Sequence, residues 1–251
     1  MAVNYTLECS IDSVESALNA EKGGATRLEL CSGLIIGGIT PDICLFRQIR
    51  KLTGLPVYVL LRPRFGDFLY TDYEVAVLKE NIRLFRQEGA DGVVIGALTA
   101  KGDLDCRQLA ELIRLSGHMS VTLHRAFDVC RDPLKALKEA KELGIHTILT
   151  SGQADNCYDG RQLLALLVEE AGNDIEILVG AGVDAEVIER LIPETGARHF
   201  HMSGKEMVES DMAYRRENVH MGLPIASEYA LWRTDKENIA AARKVLEKML
   251  R

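Results

Sequence analysis

The sequence predicts one α/β domain, a (β/α)8 barrel of the TIM type spanning residues 1–251. Three observations carry this expectation. Eight short runs rich in β-branched and aliphatic residues alternate with longer amphipathic stretches. Strands separated in this way by helices lie parallel, because parallel neighbours need crossover connections. The length of 251 residues matches the ~250 typical of such a barrel. One joint also recurs: Gly23-Gly24-Ala25, Gly89-Ala90-Asp91, Leu143-Gly144-Ile145 and Gly196-Ala197 each close a helix just before a strand. Glycine there accepts the left-handed cap conformation.

In chain order the strands are expected at Tyr5–Cys9, Arg27–Cys31, Val57–Arg62, Gly92–Ile95, Ser120–His124, Thr147–Thr150, Glu176–Val179 and His199–Met202. Helices are expected at Ser13–Ala20, Asp42–Lys51, Glu74–Gln87, Asp105–Leu115, Leu134–Leu143, Arg161–Glu170 and Ala185–Leu191, with a last one at Lys236–Leu250. Pro41 and Pro133 fall where helices begin, a position that proline's fixed φ suits. An open, doubly wound sheet would satisfy the same alternation, but no G-x-G-x-x-G follows the first strand. No linker or low-complexity tract divides the chain.

A net charge of −7 without a Lys/Arg cluster argues against nucleic acid or an anionic membrane as partner. The first residues lack the apolar core of a signal peptide, and no apolar run approaches the ~18 residues of a spanning helix. Six scattered cysteines, none in a C-x-x-C pair, read as reduced thiols. A cytoplasmic protein is expected.

Alternation along strands selects the residues that face the barrel interior. Leu28 and Leu30 share one face of the second strand, which packs outward; Glu29 and Cys31 then point inward. On the first strand Glu8 points in and Cys9 out, while His199, His201 and Ser203 share a face of the eighth. Arg62, His124 and Thr150 end strands three, five and six. A charge inside a parallel strand is costly unless paired. Glu8 and Glu29 could therefore be salt-bridge plugs neutralised by Arg62 or Arg125, yet the number of ionisable groups at different strand ends exceeds what plugging requires.

Barrels place their working groups at these C-terminal strand ends. The candidate catalytic residues are Glu8, Glu29, His124, Asp128 and His201, with His124 able to exchange protons and Asp128 to orient a neighbour. The long loop from Arg62 to Tyr70 adds Arg62, Arg64 and Asp67, and arginine forks suit carboxylate or phosphate oxygens. Arg125 and Thr150 join this ligand-binding set. Gly180, Gly182 and Ser203 lie after strands seven and eight, where barrels often cradle a phosphate. His199 and His201 form an H-x-H pair, but without clear partner ligands zinc hydrolysis is disfavoured. The segment from Lys205 to Arg233 is a long final connection, suited to a lid or an oligomer contact.

At these residues the sequence resembles the CutC copper homeostasis family. The carriers are Arg27-Leu28-Glu29-Leu30-Cys31 with Gly37-Gly38-Ile39-Thr40-Pro41, Arg62-Pro63-Arg64 with Gly66-Asp67-Phe68, Tyr70-Thr71-Asp72, the run from His124 to Asp128, and Leu149-Thr150-Ser151-Gly152. The resemblance implies a cytosolic barrel, often homo-oligomeric, linked to copper tolerance. It also implies Cu(I) bound by cysteines that match Cys9 and Cys31. Thiolates suit Cu(I), whereas the alternation sends only one of the two inward. Two functions stand open: copper buffering or delivery, and a barrel enzyme acting on a small anionic metabolite with the copper link indirect.

Overall fold

Eight parallel strands pair in chain order and close on themselves in the computed structural model, which describes residues 5–216, 218–219, 221 and 227–250. They are β1 (Thr6–Ile11), β2 (Arg27–Leu30), β3 (Val57–Leu60), β4 (Gly92–Ile95), β5 (Ser120–Leu123), β6 (Thr147–Thr150), β7 (Glu176–Val179) and β8 (His199–Met202). The closing pair is β1 with β8, which sets Glu8 opposite His201. The helices between them are α1 (Val14–Gly23), α2 (Ile43–Leu52), α3 (Asp72–Gln87), α4 (Cys106–Ser116), α5 (Pro133–Glu142), α6 (Arg161–Ala171) and α7 (Ala185–Thr195), and α8 (Lys236–Met249) completes the ring.

The expected architecture therefore holds, and the differences lie at element ends. Strand β1 runs on through Ser10 and Ile11, whereas β3 stops at Leu60 and leaves Arg62 in the loop. Pro133 begins α5 behind the Asp132 cap, but Pro41 precedes α2, whose cap is Asp42. Helix α7 continues through Pro193 to Thr195, beyond the expected Leu191.

Two-residue periodicity sorts the strands into two layers. Leu7, Cys9 and Ile11 of β1, Leu28 and Leu30 of β2, and Phe200 and Met202 of β8 belong to the large core between barrel and helices. Cys31, Leu60 and Val94 form a small cluster of their own on the opposite, inner face. At the seam α1 and α8 approach so closely that a Cβ on Gly23 would lie 2.6 Å from the Ile239 Cβ. Any larger residue would push the last helix off the first.

The final connection is not plain loop. Residues Lys205–Glu209 (β9) and Ala230–Thr234 (β10) form an antiparallel pair outside the barrel, and part of the intervening segment lies outside the described residues. Met207, Leu231 and Trp232 of this arm are exposed.

Candidate active site at the barrel mouth

The register of β1 sets Glu8 between Arg27 on β2 and His201 on β8. Glu8 is fully buried. Its Oε2 accepts from Arg27 Nε at 2.5 Å, and its Oε1 lies 2.7 Å from His201 Nδ1. Burial alone would raise this carboxyl's pKa, but Arg27 and His201 outweigh it and hold the group down at about 2. Glu29 accepts from Ser10 Oγ at 3.3 Å and stands 3.8 Å from His201 Nε2. Burial, reinforced by the charge on Glu8, pushes it up to about 7. For His201 burial favours the neutral ring, yet Glu29 and Glu8 prevail and its pKa is raised. The result is a row Arg27–Glu8–His201–Glu29 in which one carboxylate orients the imidazole and the other is poised near neutrality.

This row borders a cavity of about 440 Å³ at the C-terminal ends of the strands. Glu29, His201 and Ser203 line it, as do Arg62, Arg125 and Lys205. Arg62 is fixed by its own surroundings: Nη1 donates to the carbonyl of Gly38 at 3.2 Å, Nη2 to that of Gly66 at 2.8 Å, and the guanidinium lies over the Phe68 ring. Arg125 Nε pairs with Asp128 at 2.7 Å and Nη2 donates to Ser151 Oγ at 3.0 Å. After β7 the chain turns through Ala181 and Gly182, both at φ 74°, a strained setting for alanine. Among the described residues the N–H groups of Ala181, Gly182 and Val183 donate to no backbone carbonyl. All three residues line the cavity.

His124 follows β5 as the cap of the turn Arg125–Val129, its Nδ1 accepting from Ala126 N at 3.1 Å. It lines the cavity, packed against Phe68 with ring centroids 4.8 Å apart. Burial, with Arg62 nearby, pushes its pKa down to about 3. Burial and Arg62 thus favour the neutral ring, which weighs against the expected proton exchange at His124.

Other expected site residues lie elsewhere. Asp128 accepts from Thr150 Oγ1, Ser151 N, Ser151 Oγ and Gln153 N as well as Arg125, so it ties two loops together and does not line the cavity. Thr150 shares the outward face of Ile148 and serves the same knot. Arg64 is spent on Glu74, Asp67 and the carbonyls of Phe65, Asp67 and Leu69, which makes Arg64 and Asp67 staples of the β3–α3 loop. Gly180 faces inward, but a Cβ there would meet Leu149 Cδ1 at 2.7 Å; its role is packing room. The partner of Glu8 is Arg27, not Arg62 or Arg125, because strand register brings Arg27 alongside. Arg27, Ser10, Phe68 and Lys205 are not among the expected site residues. Ser10 shares the inward face of Glu8 and was legible once β1 is extended; Lys205 reaches the mouth from β9, which no local pattern announces.

Cys9 and Cys31 belong to different layers of the barrel. Cys9 lies in the outer layer, its Sγ 3.6 Å from the Ser203 carbonyl and 3.8 Å from Thr234 Oγ1, whereas Cys31 faces inward and lines the cavity. The register pairs Cys9 with Leu28, three residues short of Cys31. That is a displacement of about 10 Å along the strands in addition to the opposite facing. Burial pushes Cys9 up to about 12 and raises Cys31 well above the usual thiol range. Glu8, Glu29 and His201 also lie close enough to surround an ion, but Glu8 is committed to Arg27.

A closed parallel barrel with a carboxylate–imidazole–carboxylate row beneath a mouth lined by cations defines a protein of the TIM-barrel class. The chain belongs to the CutC family, whose sequence profile matches residues 5–206. It is 40% identical over 250 residues to the human copper homeostasis protein cutC homolog, covering 99% of this chain and 92% of that protein. A family protein CutC from Bacteroides thetaiotaomicron is 44% identical over 244 residues, 96% of each chain. The solved CutC structure from Streptococcus agalactiae superposes with a TM-score of 0.76 at 30% identity, covering 79% of this chain and 98% of that one. Thiamine phosphate pyrophosphorylase from Pyrococcus furiosus, at 14% identity and a TM-score of 0.57, shares the fold.

Proposed function

We propose that this chain is a cytoplasmic barrel enzyme performing acid–base chemistry on a small phosphate- or carboxylate-bearing metabolite. The observation that carries this reading is the pair Glu29 and His201, 3.8 Å apart beside a cavity that Arg62, Arg125 and Lys205 also line. A carboxyl whose pKa is about 7 can both take and return a proton at neutral pH. Glu8 holds His201 with its Nδ1 proton inward and Nε2 toward Glu29. The cations and the free N–H groups after β7 suit an anionic tail. Copper storage needs none of this arrangement.

Thermal-shift measurements with inorganic phosphate, glycerol 3-phosphate and pyruvate test the anion site. The native chain should be stabilised by at least one of them, and Arg62→Ala and Lys205→Ala should be stabilised less. Equal shifts in all three proteins, or none in any, would count against the reading.

The names of the relatives favour a second reading, in which copper is the cargo. In this chain Cys31, which lines the cavity, supports it better than a Cys9–Cys31 pair. The exposed β9–β10 arm supports assembly as a homo-oligomer in either case.

A further inference from the structure

We propose that His124 donates a hydrogen bond from Nε2 to a substrate carbonyl oxygen, so that the site acts on an anion carrying an enolisable carbonyl. The inference rests on the acid–base reading above and names its substrate class.

The backbone decides the tautomer. Nδ1 accepts the Ala126 N–H at 3.1 Å, so its lone pair is engaged and the ring proton must sit on Nε2. A cap of this kind cannot be exchanged for the other tautomer without setting two N–H groups against each other. The Nε2 atom is buried and meets no hydrogen-bond partner among the described residues, although the ring belongs to the cavity wall. An unmet buried donor is expensive, and the surroundings are built to keep it. Gly96, at the end of β4, leaves the room: a Cβ there would lie 2.5 Å from His124 Cε1. Phe68 packs on the ring, and Arg62 adds a positive field that, with burial, keeps a second proton off. A dry, oriented donor of this sort gains most when negative charge develops on the oxygen it faces.

The balanced step uses groups already in the site. The Glu29 carboxylate takes a proton from the carbon next to the carbonyl. The C–H electron pair becomes a carbon–carbon double bond, and the carbonyl π pair moves onto oxygen as an enolate. His124 Nε2–H stabilises that oxygen without giving up its proton. The proton on Glu29 returns to the same or the adjacent carbon, so neither oxidant nor co-reactant is consumed.

Two measurements test this. Nitrogen-15 NMR of the free chain should show His124 protonated on Nε2 and unchanged from about pH 6 to about pH 9. A ring protonated on Nδ1, or one that titrates in this range, overturns the assignment. Second, phosphoglycolohydroxamate, a planar enediolate mimic, and glycerol 3-phosphate, which lacks the oxyanion, are titrated into native chain, His124→Phe and His124→Gln. The native chain should prefer the mimic by about tenfold, the contribution of one hydrogen bond to a charged oxygen. That preference should vanish in His124→Phe and return in part in His124→Gln, which keeps an N–H, while glycerol 3-phosphate binds all three alike. Glycerol 3-phosphate binding with no preference in the native chain overturns the carbonyl proposal and leaves the anion site standing. Binding of neither compound overturns the anion site and the carbonyl proposal with it.

Discussion

Glu8 shares its two carboxylate oxygens between Arg27, at 2.5 Å, and His201, at 2.7 Å, and is fully buried. Among the described residues its neighbour Glu29 has a long hydrogen bond from Ser10 and an imidazole 3.8 Å away. Two buried carboxyls within one cluster thus differ in their partners, and substitution should separate them.

Glu8→Gln should destabilise the chain by about 3 to 5 kcal/mol, the cost of leaving a buried partner charge unpaired. The stranded group is Arg27, whose side chain is 10% exposed. Glu29→Gln should be as stable as the native chain or more so above pH 7, because a carboxylate opposed by its surroundings is removed. Urea unfolding of both variants at one pH measures the contrast. Equal large losses would mean that the whole row is structural.

The same row predicts the pH dependence of stability. Glu8, lowered from 4.5 to about 2, contributes stability that is present above pH 4.5 and is lost as pH falls toward 2. Glu29, raised from 4.5 to about 7, works oppositely: its contribution is full below pH 4.5 and lost as pH rises through 7. His201, raised above 6.5, likewise loses its contribution on the alkaline side. The native chain should therefore lose stability from this row between pH 4.5 and 7, by an amount on the order of 2 to 3 kcal/mol for Glu29. In Glu29→Gln that slope should be shallower. Denaturant melts across the range give the comparison, and identical slopes would place the titrating group elsewhere.

If copper is bound, the two cysteines should behave unequally. Anaerobic competition against a Cu(I) chelator should find Cys9→Ser as tight as the native chain and Cys31→Ser weaker. Because the thiol must lose its proton, native affinity should rise by about tenfold per pH unit near neutrality. Equal losses from both substitutions would require a rearranged site that joins the two sulfurs.

Assembly through the β9–β10 arm predicts that Met207→Glu combined with Leu231→Glu yields a smaller particle by light scattering, with the barrel's thermal transition unchanged. Both residues are exposed on this arm, Met207 by 62% and Leu231 by 40%. An unchanged particle mass would move the contact to another surface.

By itself the sequence determined the barrel, because apolar periodicity is a local property and each strand or helix announces its own period. Four of the eight strands begin and end at the expected residues, and the inward facing of Glu8, Glu29 and Cys31 followed from alternation alone. Only the tertiary structure decided who meets whom. Arg27 reaches Glu8 through strand register, His201 reaches it across the barrel's closing seam, and Lys205 arrives from an arm outside the barrel. Arg64, Asp67, Asp128 and Thr150 looked like ligand groups because their residue types are right, yet loop geometry spends them on one another. Residue type limits what a side chain can do, but whether it is free to do it depends on which neighbours the closed sheet has already placed within hydrogen-bonding distance.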